Sequence, residues 1–257
     1  MIELIKKEVK IIFQDEFILV LDKPCSVVVN ISKTSAQNTI QNVIIDRFDF
    51  LQKYKGVDFE TSEYKKLDIT LQEYEEFLSR AGIVHRLDKE TSGVLLVAKD
   101  PLSFKNLKHQ FKQRTVQKEY LALVLGKLKD SKIEIDAPIK RNPKRPLKFA
   151  VVQDGKPALT LIDKIQEIKI MDNWYTLVRV FPKTGRTHQI RVHLSAINHP
   201  IANDNLYLNK INFQQSSQVF TRLMLHARAI TFVHPKTEQV VNYISQLPLE
   251  FDFSKYT

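Results

Sequence analysis

Apolar runs of strand length recur along the whole of this 257-residue chain, among them residues 17–21 and 94–98, and none exceeds six residues. Residues 10–13, 17–22, 83–86, 94–99, 118–125, 132–135, 158–165, 174–181, 229–233 and 240–243 each read as a strand, with Asp, Pro, Gly or Asn in the breaks. Helical spacing appears only between them. Ile40, Val43 and Ile44 mark a helix within 38–51, and residues 71–78 mark another. Asp100-Pro101 starts a third, with a capping side chain before a proline at the first helical position. Ile190, Leu194 and Ile197 outline a fourth within 186–197. Strands that follow one another like hairpins, with few helices, predict an α+β fold: a mixed, mostly antiparallel central sheet with flanking helices and loops. Repeats, low-complexity tracts and Gly/Ser linkers are missing, so the reading is a single domain over 1–257 with an insertion-like acidic segment at about 46–80.

The same pattern excludes several classes. Runs this short cannot cross a bilayer, and Glu3, Lys6, Lys7 and Glu8 interrupt any signal segment at the start. The lone Cys25 rules out an internal disulfide, suits a reducing cytoplasm and reads as a small buried hydrophobe. Seven scattered histidines and one cysteine offer no zinc spacing, so no metal is expected. No GxxxxGK[ST], GxGxxG or GxSxG element occurs, which argues against nucleotide-dependent enzymes, dehydrogenases and serine hydrolases and leaves no cofactor to expect.

Charge points towards a polyanion. The chain carries 39 basic and 29 acidic side chains, a net +10. Between residues 105 and 148 there are 13 basic and 4 acidic residues, nearly the whole excess, whereas 46–80 holds 9 acidic and 6 basic. A basic block of this kind suits a phosphate backbone, although a solvated surface has the same composition. On the helix after Asp100, Lys105, Lys108 and Lys112 fall opposite Phe104, Leu107 and Phe111, a spacing that suits a helix packed on a sheet with its lysines turned towards RNA.

Two segments concentrate polar groups where strands end. In HRLDKETSG, residues 85–93, seven of nine residues are polar although the segment lies between two apolar runs. KTGRTHQIRVH, residues 183–193, is equally rich in donors where a strand gives way to a helix. Loops held on rigid strand ends are where catalytic groups tend to lie, yet each segment alone reads as well as a structural ion-pair turn.

These two segments resemble the signature motifs of the pseudouridine synthase family typified by RluA, whose members act on ribosomal and transfer RNA. The resemblance starts at Ile12-Phe13-Gln14-Asp15-Glu16 and Leu21-Asp22-Lys23-Pro24 and takes in HRLDKETSGVLLVAKD and Lys118-Glu119-Tyr120. It continues through PKTGRTHQIRVHLSAINHPI to Arg222-Leu223-Met224-Leu225-His226-Ala227 and His234-Pro235, in the family's order. It implies the family's catalytic-domain fold and a reaction that isomerises uridine in large-subunit ribosomal RNA or transfer RNA, with neither metal nor cofactor. An RNA stem-loop is the implied partner, the protein is expected to be monomeric and cytoplasmic, and no separate S4-type domain is expected before residue 10.

The resemblance also implies roles residue by residue. Asp88 takes the place of the catalytic aspartate, Tyr120 that of the tyrosine that stacks on uracil and is a candidate proton acceptor, and Arg191 that of the arginine paired with the aspartate. Arg86 matches the side chain that fills the gap left by the extruded base, and Leu225 the apolar residue against the base. His85, Arg186, His188 and Lys105, Lys108 and Lys112 complete the expected RNA-facing set, with His188 and Gln189 expected to orient rather than react. The chain departs from the family twice. Cys25-Ser26 stands where small residues ending in Gly are usual, and Asn203-Asp204 where Gly-Asp is common; both sites are expected to be peripheral to the nucleophile. Two readings from other classes remain: a non-catalytic RNA-binding protein that keeps the fold, and a glycosylase that cleaves without rejoining.

Overall fold

The computed structural model describes residues 2–254. The chain divides into two compact units, Met1–Val116 with Ala229–Ser245, and Gln117–Arg228 with Gln246–Thr257. All the strand ladders described below are antiparallel, in keeping with the mostly antiparallel sheet that the strand succession predicts.

The first unit opens with α1 (Ile2–Glu8), followed by a hairpin of β1 (Lys10–Gln14) and β2 (Ile18–Lys23). Its turn is held by Asp15, whose Oδ1 accepts the N–H groups of Phe17 and Ile18, both at 2.8 Å. After α2 (Ile40–Arg47), the acidic segment makes short 3₁₀ turns at Gln52–Tyr54, Phe59–Thr61 and Glu63–Lys66 and then α3 (Leu71–Ser79). This segment carries its own aromatic core. The Tyr54 ring lies 5.1 Å from Phe77 and 5.6 Å from Tyr64, and Phe77 lies 5.7 Å from Phe104. Phe104 belongs to α4 (Pro101–Gln113), capped by Asp100, whose Oδ1 accepts the Ser103 N–H at 2.9 Å.

Between α3 and α4 runs β3 (Ser92–Ala98), buried at every position and paired with β2. The strand expected at 83–86 contracts to a single bridge from Ile83 to Val97. The reason is local. The Leu96 N–H is taken by the ring of His85 (2.9 Å), so the chain leaves the sheet there and frees residues 84–91 to form a loop. Gly82 makes the approach possible: its φ is +74°, and a Cβ there would stand 2.0 Å from the carbonyl oxygen of Ala98.

The second unit begins with β4 (Gln117–Leu125) and β5 (Lys132–Asp136), followed by a small hairpin of β6 (Ile139–Arg141) and β7 (Phe149–Val151). The long hairpin β8 (Leu159–Ile170) and β9 (Asn173–Pro182) pairs with β5 on one side and β4 on the other. Next come α5 (Gln189–Ala196), α6 (Lys210–Val219) and β10 (Leu225–Val233). The core of this unit gathers Leu123, Val124, Val178, Val180, Leu194 and Met224. β10 runs on into residues of the first unit, where Ala229–Val233 pair with β11 (Val240–Ile244).

α1, α6 and the β6–β7 hairpin leave no clear mark in the sequence. Each is short, and α6, with only Ser216 buried, has no apolar stripe to announce it. No helix among the described residues is long and apolar enough to cross a membrane.

Candidate active site

Asp88, His85 and Arg86 lie in the first unit; Tyr120, Arg186, His188, Arg191 and Leu225 lie in the second. In the loop of residues 85–91, Leu87 (4% exposed) and Thr91 (2%) are sunk into the core while Arg86 and Lys89 are less buried and Asp88 is half-buried. The Thr91 N–H bonds to the Asp88 carbonyl at 3.1 Å and closes the turn. His85 is occupied beneath it. Its Nε2 accepts from Leu96, which places the proton of the neutral ring on Nδ1, and the ring stacks on Phe111 with centroids 4.9 Å apart. The residue expected to face RNA thus anchors the base of the Asp88 loop.

A second anchor is Lys23, fully buried at the end of β2. Its ammonium donates to the carbonyls of Pro24 (2.8 Å), Val27 (2.8 Å) and, across the loop, Lys89 (3.1 Å). A buried charge is costly unless its donors are matched, and these carbonyls match them. Cys25 adds a thiol donated to the Glu90 carbonyl at 3.0 Å, so it is a half-exposed donor and not the buried hydrophobe expected from composition. The turn that substitutes Cys25-Ser26 for small residues therefore bears directly on the Asp88 loop. Ser26 takes φ +64°, the conformation that a glycine adopts without strain.

In the second unit Arg191 is 1% exposed and Asp204 wholly buried. They form a two-point pair, Nε to Oδ2 at 2.8 Å and Nη2 to Oδ1 at 2.7 Å. Asp204 Oδ1 also accepts the N–H groups of Leu206 (3.0 Å) and Tyr207 (3.2 Å). The Tyr207 ring lies 5.3 Å from the guanidinium carbon, and its hydroxyl accepts the Phe149 N–H (2.9 Å) and meets His188 Nδ1 at 3.0 Å. Expected to be peripheral, Asn203-Asp204 instead supplies the buried counter-ion of Arg191. Asn203 sits at φ +56° and is held by α6 and the residue that follows it: its N–H donates to Ser216 Oγ (2.7 Å) and its Nδ2 to the Phe220 carbonyl (2.6 Å). An otherwise polar helix thereby sets the turn that carries Asp204.

The start of α5 is equally fixed. The helix begins at Gln189 and not at 186, because His188 adopts φ +55° and breaks the turn. Gln189 accepts from Thr184 Oγ1 (2.7 Å) and the Arg186 N–H (3.0 Å) and donates to Leu159 O and Thr160 Oγ1, both at 3.0 Å. Arg186 donates Nε to the Pro157 carbonyl at 3.0 Å. Tyr120, partly buried on β4 opposite Val180, packs against the core cluster that also holds Leu225, itself 3% exposed. Two residues before Tyr120, and so on the same face of the strand, Lys118 donates to the Thr184 carbonyl at 3.1 Å. Burial, aided by the like charge of Lys183, lowers its pKa to about 8.

The expected basic stripe of α4 is partly neutralised. Lys105 pairs with Asp68 at 2.8 Å and Glu73 at 3.8 Å, and Lys108 with Glu76 at 2.5 Å, all from the acidic segment; Lys112 stays exposed. In the β6–β7 hairpin, by contrast, Arg141, Lys144 and Arg145 are exposed, with the Arg141 guanidinium 4.9 Å from the Phe149 ring.

Residues 17–196 match the family model described as RNA pseudouridylate synthase. A ribosomal large subunit pseudouridine synthase D of Nitrosomonas europaea is 36% identical over 242 residues, 93% of this chain and 62% of the relative. An uncharacterized RNA pseudouridine synthase of Aquifex aeolicus is 36% identical, covering 88% of this chain and 66% of its own. A ribosomal large subunit pseudouridine synthase C of Pasteurella multocida is also 36% identical, covering 95% and 66%. The chain thus spans about two thirds of the length of these relatives. Among solved structures, human RNA pseudouridylate synthase domain containing 1 superposes with a TM-score of 0.71 at 25% identity, covering 95% of this chain and 85% of that one.

Proposed function

Because the chain belongs to the RNA pseudouridylate synthase family, we propose that it isomerises specific uridines of RNA to pseudouridine with Asp88 as the nucleophile. The observation that carries the reading is the intact HRLDKETSG segment, its aspartate half-exposed on a loop that His85, Lys23 and Cys25 tie down. A rigidly held, accessible carboxylate is what covalent catalysis asks for. Attack on the ribose C1′ or the uracil C6 forms a bond to Asp88 and the N1–C1′ bond breaks; the base turns, C5 bonds to C1′, and the bond to Asp88 breaks to return the carboxylate while N1 takes up a proton. The C5 proton then leaves to a positioned base. Reactant and product contain the same atoms, so the isomerisation consumes no co-substrate.

Tyr120 is the residue we assign to stacking on the uracil and to accepting that proton. Arg191 keeps the nucleophile ionised, since a guanidinium favours the charged form of a carboxylate. Arg86, exposed beside Asp88, fills the gap from which the target base swings, because atoms of a stacked base cannot be reached in place. The exposed cations of the β6–β7 hairpin, with Lys112, give RNA phosphates their contacts. Large-subunit ribosomal RNA is the substrate we favour, since two of the relatives named above are described as acting on the large ribosomal subunit.

One assay decides. RNA labelled with tritium at uridine C5 is incubated with the protein and with Asp88→Ala. Tritium released by the former and not by the latter is the expected result. Free uracil would point to a glycosylase, and neither product to a binding protein.

A further inference from the structure

We propose that Asp204, with Tyr207 beneath the guanidinium, is a positioning residue of the reaction: it sets the orientation of Arg191 and through it the turnover rate. The inference rests on the proposed role of Arg191. A guanidinium has five N–H groups in a planar fork, so fixing Nε and Nη2 on one carboxylate fixes the plane and heading of the remaining N–H groups. Asp204 does this at 2.8 and 2.7 Å. The carboxylate is itself held, because Oδ1 also takes the backbone N–H groups of Leu206 and Tyr207. Below it, the Tyr207 ring lies 5.3 Å from the guanidinium carbon and closes off tilting, while its hydroxyl is tied to Phe149 and His188.

A surface ion pair would leave the arginine to swing. Here both partners are almost fully buried, and α6 fixes the turn bearing the aspartate through Asn203. The cost of burying two charges is recovered only with excellent geometry, and geometry is what this pair delivers to Arg191. Asp204 offers no surface to RNA, so its influence is expected in turnover and not in binding.

The test is a set of kinetic comparisons on C5-tritiated RNA. Asp204→Glu keeps the charge but displaces the guanidinium by about a bond length, and Asp204→Asn removes the charge. Expected are an unchanged far-UV circular dichroism spectrum, RNA affinity within about threefold, and a kcat lowered roughly a hundredfold by Asn and less by Glu. A folded variant with the kcat of the parent, or one that loses affinity while keeping kcat, overturns the proposal. Should both substitutions abolish folding, Tyr207→Leu removes only the ring under the guanidinium and is read in the same way. Parent protein that releases no tritium, or an Asp88→Ala variant that still releases it, would instead overturn the reading on which the inference rests, so the two failures separate.

Discussion

The two compact units differ in where their best-held charges lie. In the first, cations are used up internally: Lys23 on backbone carbonyls, Lys105 and Lys108 on the acidic segment, and Arg80 on Glu76 at 3.1 Å. In the second, the deep ionic pair is Arg191 with Asp204, while on the β6–β7 hairpin Lys140 meets Asp154 at 2.5 Å and Arg141, Lys144 and Arg145 stay exposed, the Arg141 guanidinium against the Phe149 ring. Net charge by segment does not reveal this. Residues 105–148 read as one basic block, yet the part on α4 is answered by the acidic residues 68–76, whereas Arg141, Lys144 and Arg145 of the hairpin are exposed.

The largest effect should come from the internal cation of the first unit. Lys23→Met leaves three carbonyls without their donor, and each unsatisfied acceptor costs about 1–3 kcal/mol. A drop in unfolding free energy of roughly 3 kcal/mol or more is expected, measured by urea denaturation. A drop below about 1 kcal/mol would show that the ammonium is not what ties the loop.

Next comes the contrast between the two lysine-rich surfaces. Replacing Arg141, Lys144 and Arg145 with Gln should weaken RNA binding roughly tenfold or more and flatten its dependence on salt by about one unit of slope for each phosphate no longer neutralised. Lys105→Gln with Lys108→Gln should change affinity by less than about twofold, because those lysines already have partners. Filter binding over a salt series reads both, and the reverse ranking would break the comparison.

The smallest effect concerns Lys118. Burial depresses its pKa to about 8 from 10.5, so between those values the unfolded chain binds more protons than the folded one. Its contribution therefore makes stability rise with pH from about 8 to 10.5, by on the order of 1–2 kcal/mol once partial exposure is allowed for. Thermal melts across that window should show the rise in the parent and lose it in Lys118→Met.

Much of this is legible in the chain itself. Strand spacing predicts an α+β protein with a mixed, mostly antiparallel sheet, and Asp100-Pro101 marks the start of α4 at the right residue. The HRLDKETSG loop stands out because polar residues interrupt two apolar runs. That the ring nitrogen of His85 accepts the N–H of Leu96, eleven residues on, is not legible from its neighbours in sequence. Asp204 reads as peripheral for the same reason. It lies 13 residues from Arg191, across a turn whose position is set by α6, a helix too polar to be predicted.

Residue type and local periodicity thus determined which segments form strands and helices and which loop carries the candidate nucleophile, since these depend on neighbours a few positions apart. Which cation meets which anion was decided only by the folded chain. A buried ion pair depends on through-space distances of about 3 Å between residues whose sequence separation carries no record of them. The tertiary structure made Lys23 a clamp, turned Asp204 towards Arg191, and gave two of the lysines of α4 to the acidic segment.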